Sequence, residues 1–425
     1  MLVFISDIHL TDGSSGETIK STAFRIFSDN LKQLVKSVKK NSKLEELKLV
    51  LLGDIFDVIR STRWNDPTVT VRPWDEAGKS QEDVLLNILN GIYAQNQNSL
   101  NYFDDLRKFA KGENIKFDIT YVIGNHDWLI NRYQSSRNLI AGWLGLPSNN
   151  APKFPEELFV PAYKTYARHG DIYDSFNYMD NNRDTSSIGD AIVIELLNKY
   201  PLEVEKRLNE LLEARRITDE EKKKITDMLK ELDNVRPILD TPSWILMVMN
   251  RTTNASARQA IEKAWSDCVD SFFKVPFIRA MDKLFWPDTI DLLQIALNLS
   301  SQMSKWALEK IMELKKRISS GETEGNYDNS AFAESRIRSG EASFVLYGHT
   351  HDHLIIPLDQ IPTDSGKIQN KIYFNTGTWR KTWNKAVFES VNREFIGWHV
   401  LTYVGIFKPT ENGDYNFEIW NSALG

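Results

Sequence analysis

Cysteine is almost absent from this chain: Cys268 is the only one among 425 residues. A single thiol forms no intramolecular disulfide and cannot build a Cys-based metal site, so a disulfide scaffold and a thiolate zinc cluster are both excluded and a reducing compartment is expected. Cys268 falls inside a helical pattern, where a buried structural thiol is expected. Long apolar runs are missing as well. The longest, Trp244 to Met249, is far short of the roughly 20 residues that cross a bilayer, so no integral membrane segment is expected. The opening "MLVFISDIHL" meets a charge at Asp7 and offers neither a basic n-region nor a long apolar h-region, which points away from a signal peptide and toward the cytoplasm. Nor is there an excess of basic residues. A net charge of −6 argues against wide, non-specific contact with nucleic acid, whose affinity comes from many Lys and Arg on phosphates.

What is present fits an ordinary globular protein, at 41% hydrophobic and 26% charged residues. Short runs rich in β-branched and aromatic residues predict strands at 2–6, 48–52, 119–123, 163–168, 343–347 and 371–374. Amphipathic helices are predicted over 22–40, with Phe24, Phe27, Leu31, Leu34 and Val35 on one face, and over 82–96, with Val84, Leu85, Ile88, Leu89 and Ile92. Strand and helix in alternation imply an α/β architecture. The interval 181–340 reads differently, as an all-helical insertion between a first core part, 1–180, and a second, 341–425. Thr218 with Glu221 forms a capping box ahead of Ile225, Met228, Leu229 and Leu232. A longer helix is expected from about Asp288 to Arg317, closed by the linker "SSGETEGN" at 319–326.

Histidine is scarce, seven in all, yet "YGHTHDH" at 347–353 holds three. The polar residues that follow the predicted strands explain the clustering. Asp7 and His9 follow the first, "GDIFD" with Asp54 and Asp57 the second, and "GNHD" with Asn125, His126 and Asp127 the third. His169 follows the fourth, His349 and His351 the fifth, and "NTGTWR", ending at Arg380, the sixth. Each candidate ligand thus sits just beyond the carboxyl end of a strand, the edge where open α/β sheets hold their ligands. Asp7 and His9 are two apart, so extended chain would point them to one side, and His349 and His351 repeat the spacing. Gly53, Gly124 and Gly348 are expected to permit sharp turns there. A mixed imidazole and carboxylate shell suits manganese, iron, zinc or nickel better than an all-oxygen magnesium site.

Five motifs in order, DxH, GDxxD, GNH(D/E), a lone His and GHxH, resemble the calcineurin-like metallophosphoesterase superfamily. They span residues 7 to 379 but leave the helical insertion uncovered. The resemblance implies a metallophosphoesterase-type αββα sandwich and two divalent transition-metal ions, manganese first among them. By it, Asp7, His9, Asp54 and His351 would hold one ion and Asp54, Asn125, His169 and His349 the other, with a hydroxide shared between them as nucleophile. His126 would be the catalytic histidine, Asp127 is placed to orient it, and Asp57 would position His9 or a neighbouring ligand from behind. The wording is similar to the branch of UDP-2,3-diacylglucosamine hydrolases and to nucleases of the Mre11 type. Val58 and Asp127 depart from the Arg and Glu of the protein phosphatases.

The resemblance implies hydrolysis of a phosphodiester, pyrophosphate or phosphomonoester, with a small molecule slightly favoured as substrate and a manganese nuclease on DNA or RNA and a non-catalytic scaffold as the two rivals. Arg380, and Arg60 in a loop that also carries Arg63, Trp64, Arg72 and Trp74, are candidate substrate contacts. The insertion's Trp244, Trp265, Phe272, Phe273, Phe277, Trp286 and Trp306 suggest either ordinary core or an acyl-binding groove. Because the insertion lies between His169 and His349, it is expected to cap the site.

Overall fold

Leu2, Val3, Phe4 and Ile5 are all buried, as a strand with apolar neighbours on both faces requires. The protein's structure, a computed structural model, describes residues 1–282, 297, 327–362, 368–386, 395–413 and 415–424. In it β1 (Leu2–Ile5) pairs parallel with β2 (Glu46–Leu52), which pairs parallel with β3 (Lys116–Val122). Two unforeseen strands extend the other side of this sheet: β10 (Phe395–Ile406) lies antiparallel to β1, and β11 (Phe417–Leu424) antiparallel to β10. A second sheet is built from β4 (Glu157–Val160), β5 (Thr165–Arg168), β6 (Phe344–Tyr347), β8 (Ile368–Thr376) and β7 (His353–Pro362), in that spatial order. Its three inner strands are parallel and its two edges antiparallel. A short strand, β9 (Thr382–Lys385), pairs with β10. The fold is therefore mixed α/β with two mixed sheets.

The side-chain alternation of strands sorts the core. Leu2, Phe4, Val50, Leu52 and Val122 of the first sheet meet Phe344, Leu346 and Phe374 of the second, so the sheets pack face to face. Val3 and Ile5 turn the other way, toward Phe24, Phe27 and Leu31 of α1 (Ser21–Asn41) and Leu85, Ile88 and Leu89 of α2 (Lys79–Gly112). α2 runs well past the expected 82–96, because Leu100, Phe103, Leu106 and Ala110 prolong its buried stripe. On the far side of the second sheet, Tyr166, Val345, Tyr347 and Tyr373 pack against Tyr327, Ala331 and Ile337 from the short helices Tyr327–Ala333 and Ser335–Arg338.

From Ile188 through Asp282 the regular elements are helical. Ser187 and Asp190 cap the first helix, which continues from Ile188 to Glu213 through a π-helical turn at Val193–Asn198. That turn fastens the helix to the loop after β2: Asn198 donates to the carbonyls of Ile59 (3.1 Å) and Ser61 (3.3 Å), and Glu195 pairs with Arg72 at 2.7 Å. Thr218 and Glu221 form the expected capping box. Trp244, Trp265 and Phe272 are buried in one cluster with the residues of α1 and α2, so these aromatics are core. Cys268 is buried among them. Trp286, Trp306, the helix expected at 288–317 and the 319–326 linker lie outside the described residues. Among the described residues no helix is long and apolar enough to cross a membrane.

Trp379 ties the first sheet to α1. It is 1% exposed, lies 5.3 Å from Phe24 and 5.1 Å from Phe27 between ring centroids, and donates its indole N–H to Thr402 at 2.9 Å. Trp379→Ala is expected to lower stability by about 3–5 kcal/mol. Urea denaturation should show a lower midpoint, and an unchanged one would contradict this packing.

Candidate metal centre

The polar residues after the strands converge, though not by extended chain. Asp7 (φ 49°), His9 (φ 50°), Asp54 (φ 53°), His349 (φ 71°) and His351 (φ 66°) all have left-handed backbone, which corrects the expectation that two-residue spacing in extended chain aligns them. Left-handed conformations in non-glycine residues are sparsely populated and cost on the order of 1–3 kcal/mol each, so five at one locus mark a place that the surroundings over-determine. Backbone bonds hold the loops together: Asp7 N–H donates to Gly53 (3.1 Å), His9 N–H to Asp54 (2.8 Å) and Leu10 N–H to Ile55 (2.8 Å). The glycines act in two ways. Gly53 itself has φ 83°, whereas Gly124 and Gly348 are needed for clearance, since a Cβ there would collide with the carboxylates of Asp54 and Asp7.

Two overlapping groups of ligand atoms result. In the first, His9 Nε2 lies 3.1 Å from His351 Nε2, 3.9 Å from Asp7 Oδ1 and 3.8 Å from Asp54 Oδ2, and His351 Nε2 lies 3.5 Å from Asp7 Oδ1. In the second, His169 Nε2 lies 3.2 Å from Asp54 Oδ2 and 3.1 Å from Asn125 Oδ1, and Asn125 Oδ1 is 3.0 Å from His349 Nδ1. Bonds of about 2.1 Å to a four- to six-coordinate cation place neighbouring ligand atoms about 3.0–3.4 Å apart, and most of these separations lie at or a little beyond that range. The donor set therefore fits metal ions, and Asp54 Oδ2 belongs to both groups.

Hydrogen bonds aim each ligand. His9 Nδ1 bonds Asp57 Oδ2 (2.9 Å), His169 Nδ1 bonds the Leu52 carbonyl (2.9 Å) and His349 Nε2 bonds Asp174 Oδ2 (3.0 Å), so in each ring the other nitrogen faces the cluster. Asp54 Oδ1 accepts the His126 N–H at 2.8 Å, and Asn125 Nδ2 donates to Asn177 at 3.3 Å, which leaves the Asn125 oxygen inward. His126 Nδ1 bonds Asp57 Oδ1 at 3.0 Å. Asp57 thus holds two histidines at once.

Three expectations need correction or refinement. Asp127 does not orient His126: it accepts from Gly124 N–H (2.6 Å), Ile55 N–H (3.0 Å) and the Tyr121 hydroxyl, and so fixes the turn, while Asp57 takes the orienting role. Arg60 is no substrate contact, being fully buried and ion-paired with Asp233. Its loop neighbours are engaged too: Arg63 with Asp12 (3.1 Å), Arg72 with Glu195, Trp64 with the Val58 carbonyl (2.8 Å), and Trp74 stacked on Phe277. Arg380 is 5% exposed, pairs with Asp233 at 3.2 Å, and lines a cavity adjoining the centre. Sequence reasoning missed Asp174, which closes the stretch "HGDIYD" at 169–174, and Arg236, whose Nε donates to His351 Nδ1 at 3.1 Å. The position of Asp174 just after the His169 strand was a usable signal; for Arg236 there was none.

Burial raises Asp7 to about 6, aided by Asp54, and lowers His9 to about 4. Asp54 is buried as well, yet His169, His126 and His9 together hold it far below the usual carboxylate range. Burial opposes protonation of His169 and His126 but is outweighed, by Asp54 and Asp7 for His169 and by Asp57 and Asp54 for His126, so both rise to about 10. Above the cluster lies a cavity of about 150 Å³, floored by Asp54, Asn125, His126, His349 and His351 and walled by Ile192, Val193, Arg236 and Ile238. No protein-family model matches the chain, and no curated protein matches it.

A cation needs the lone pair of His169 Nε2, and the raised His169 pKa of about 10 keeps that ring protonated near neutral pH. Manganese binding should therefore expel at least one proton, with affinity rising as pH rises and falling as pH falls. Calorimetry near neutral pH in buffers of different ionisation enthalpy should show an apparent enthalpy that varies linearly with it, with a slope of one proton or more. A slope of zero would contradict these electrostatics.

Proposed function

We propose that the chain is a dinuclear metal-dependent phosphoesterase of the calcineurin-like type, hydrolysing a phosphodiester, pyrophosphate or phosphomonoester of a small molecule. One observation carries this reading: two groups of ligand atoms from five widely separated chain segments share the single oxygen Asp54 Oδ2. Two face-to-face sheets with helices on both outer faces support the αββα architecture that the motifs imply. Asp7, His9, Asp54 and His351 would hold one divalent ion and Asp54, Asn125, His169 and His349 the other. Two such ions, manganese for preference, would supply an acidified water and positive charge for the phosphoryl oxygens.

The rest of the chemistry belongs to side chains. His126 reaches the cavity over the cluster, and its ring is held by Asp57 through Nδ1. That hydrogen bond leaves Nε2 to donate a proton to the departing oxygen, and the Asp57 carboxylate favours the protonated ring. Asn125 contributes a neutral oxygen, which limits the negative charge that an incoming phosphate meets. The apolar wall formed by Phe176, Ile192, Val193 and Ile238 limits water around the scissile group. A cavity of about 150 Å³ over the cluster favours a small molecule over a polynucleotide track.

Metal analysis should find about two equivalents of manganese per chain in the wild type and at most a trace in Asp54→Ala. The manganese-loaded protein should hydrolyse aryl phosphodiesters or monoesters. His126→Ala should lower kcat by about 10²–10⁴-fold with its metal content retained. No turnover with manganese, zinc, nickel or iron would replace this reading by the scaffold, and faster cleavage of oligonucleotides than of small esters would replace it by the nuclease.

A further inference from the structure

The helical region sends Asp233 and Arg236 to the wall of the cavity over the cluster, and of the two Arg236 contacts a candidate ligand, His351. Arg236 is positioned by main-chain contacts: its N–H donates to the Trp383 carbonyl on β9 at 2.9 Å, beside a bridge between Val235 and Trp383. Its Nη1 turns back onto the carbonyls of Asp233 (2.9 Å) and Val235 (2.8 Å), and its Nε donates to His351. Nη2 has no hydrogen-bond partner among the described residues.

Arg236 stands where two cavities meet. The inner one, about 150 Å³ over the ligand cluster, is smaller than the roughly 300–1,000 Å³ of sites that enclose a whole small molecule. It admits a phosphoryl group and little more. Arg236, Pro237, Tyr327, Thr350 and His351 also line an outer cavity of about 550 Å³, where Arg380, Thr378, Thr382 and Asn384 join them. A substrate whose phosphate reaches the cluster therefore extends its remaining atoms past Arg236 into this chamber.

The outer chamber's wall carries both signs, Arg236 and Arg380 alongside Asp328 and Asp352. Asp233, on the wall of the inner cavity, accepts ion pairs from Arg60 and Arg380 and has Arg236 among its electrostatic neighbours. Arg60 is sealed behind it. Arg380 spends Nη2 on Asp233 and Asn234, and its Nε and Nη1 have no hydrogen-bond partner among the described residues. An imidazole that binds a cation through Nε2 carries its proton on Nδ1. With a cation on His351, the Arg236 Nε–H would then need another acceptor. A phosphate offers several acceptor oxygens to paired guanidinium groups.

We propose that Arg236 and Arg380 form an anion subsite beside the metal centre, so that the substrate is a small molecule carrying a second phosphate besides the one that is cut. This rests on the phosphoesterase reading for the scissile group, but the subsite is testable without turnover. Arg236 and Arg380 would be specificity residues that read the distal charge, and the helical region would supply selectivity by placing Arg236.

The probes are the p-nitrophenyl ester of thymidine 3′-phosphate with and without a 5′-phosphate, and, for binding, thymidine 3′,5′-bisphosphate against thymidine 5′-monophosphate. In the manganese-loaded wild type, kcat/KM should favour the ester with the second phosphate by about tenfold or more, and calorimetry should show the same preference for the bisphosphate. Arg236→Gln and Arg380→Gln should bring both ratios to about one, and the Lys variants should restore part of the preference. Equal wild-type affinity for the two nucleotides, or a preference that survives both Gln substitutions, would overturn the subsite; the wild-type comparison decides even if a variant does not fold. A bisphosphate preference lost in the variants without turnover of either ester would instead overturn the phosphoesterase reading and leave the subsite standing.

Discussion

One buried carboxylate sets the terms for the rest of this molecule. Asp54 is 2% exposed and lies between His9 and His169, with its remaining oxygen on the His126 N–H. A carboxylate so far from water is unstable unless positive charge and hydrogen-bond donors surround it. The surroundings are drawn from distant parts of the chain, because no single segment could supply them at this density. Parallel β1, β2 and β3 bring three loops to one sheet edge, and β5 and β6 bring two more from the facing sheet. The apolar contact between the sheets is thus also what keeps His169 and His349 opposite Asp54. Packing of the sheets and geometry of the site are one constraint.

The helical region is bound to that constraint at two ends. Its π-helical turn grips the loop after β2, and the segment around Asp233 to Arg236 is stitched to β9 while Asp233 pairs with the buried Arg60. Its buried residues run without a break into those around α1 and α2. A segment held in this way can present Ile192, Val193, Arg236 and Ile238 to the cluster with little freedom, as a wall with fixed chemistry. In the proposed function this is how one type of phosphoryl chemistry would acquire a particular substrate.

Much of this was legible from residues alone, for physical reasons. Runs such as "LVFIS" and "KLVLL" can satisfy their burial only as strands inside a sheet, and the short polar motifs that follow them had to emerge at strand ends. The conformation of those motifs was not legible. Nothing in a DxH spacing announces left-handed backbone at Asp7 and His9, which depends on the bonds to Gly53 and Asp54. The assignment of Asp127 as partner of His126 followed adjacency in sequence, whereas the turn sends Asp127 back to Gly124 and hands His126 to Asp57. Arg60 looked available because the loop after Asp57 is polar; the fold buries it under Asp233, far along the chain. Arg236 and His351 are separated by 115 positions, and only the assembled structure brings them together. β10 and β11 went unrecognised although β10 carries apolar and aromatic residues, since Gly397 and Gly405 interrupt its pattern.

The central claim is that the two groups of ligand atoms around Asp54 hold a pair of adjacent cations. Anomalous diffraction from a manganese-loaded crystal, recorded at the manganese edge, measures this directly. The account predicts two peaks about 3.5–4 Å apart, one on each side of Asp54 Oδ2. A single peak, or none within reach of Asp54, would contradict it.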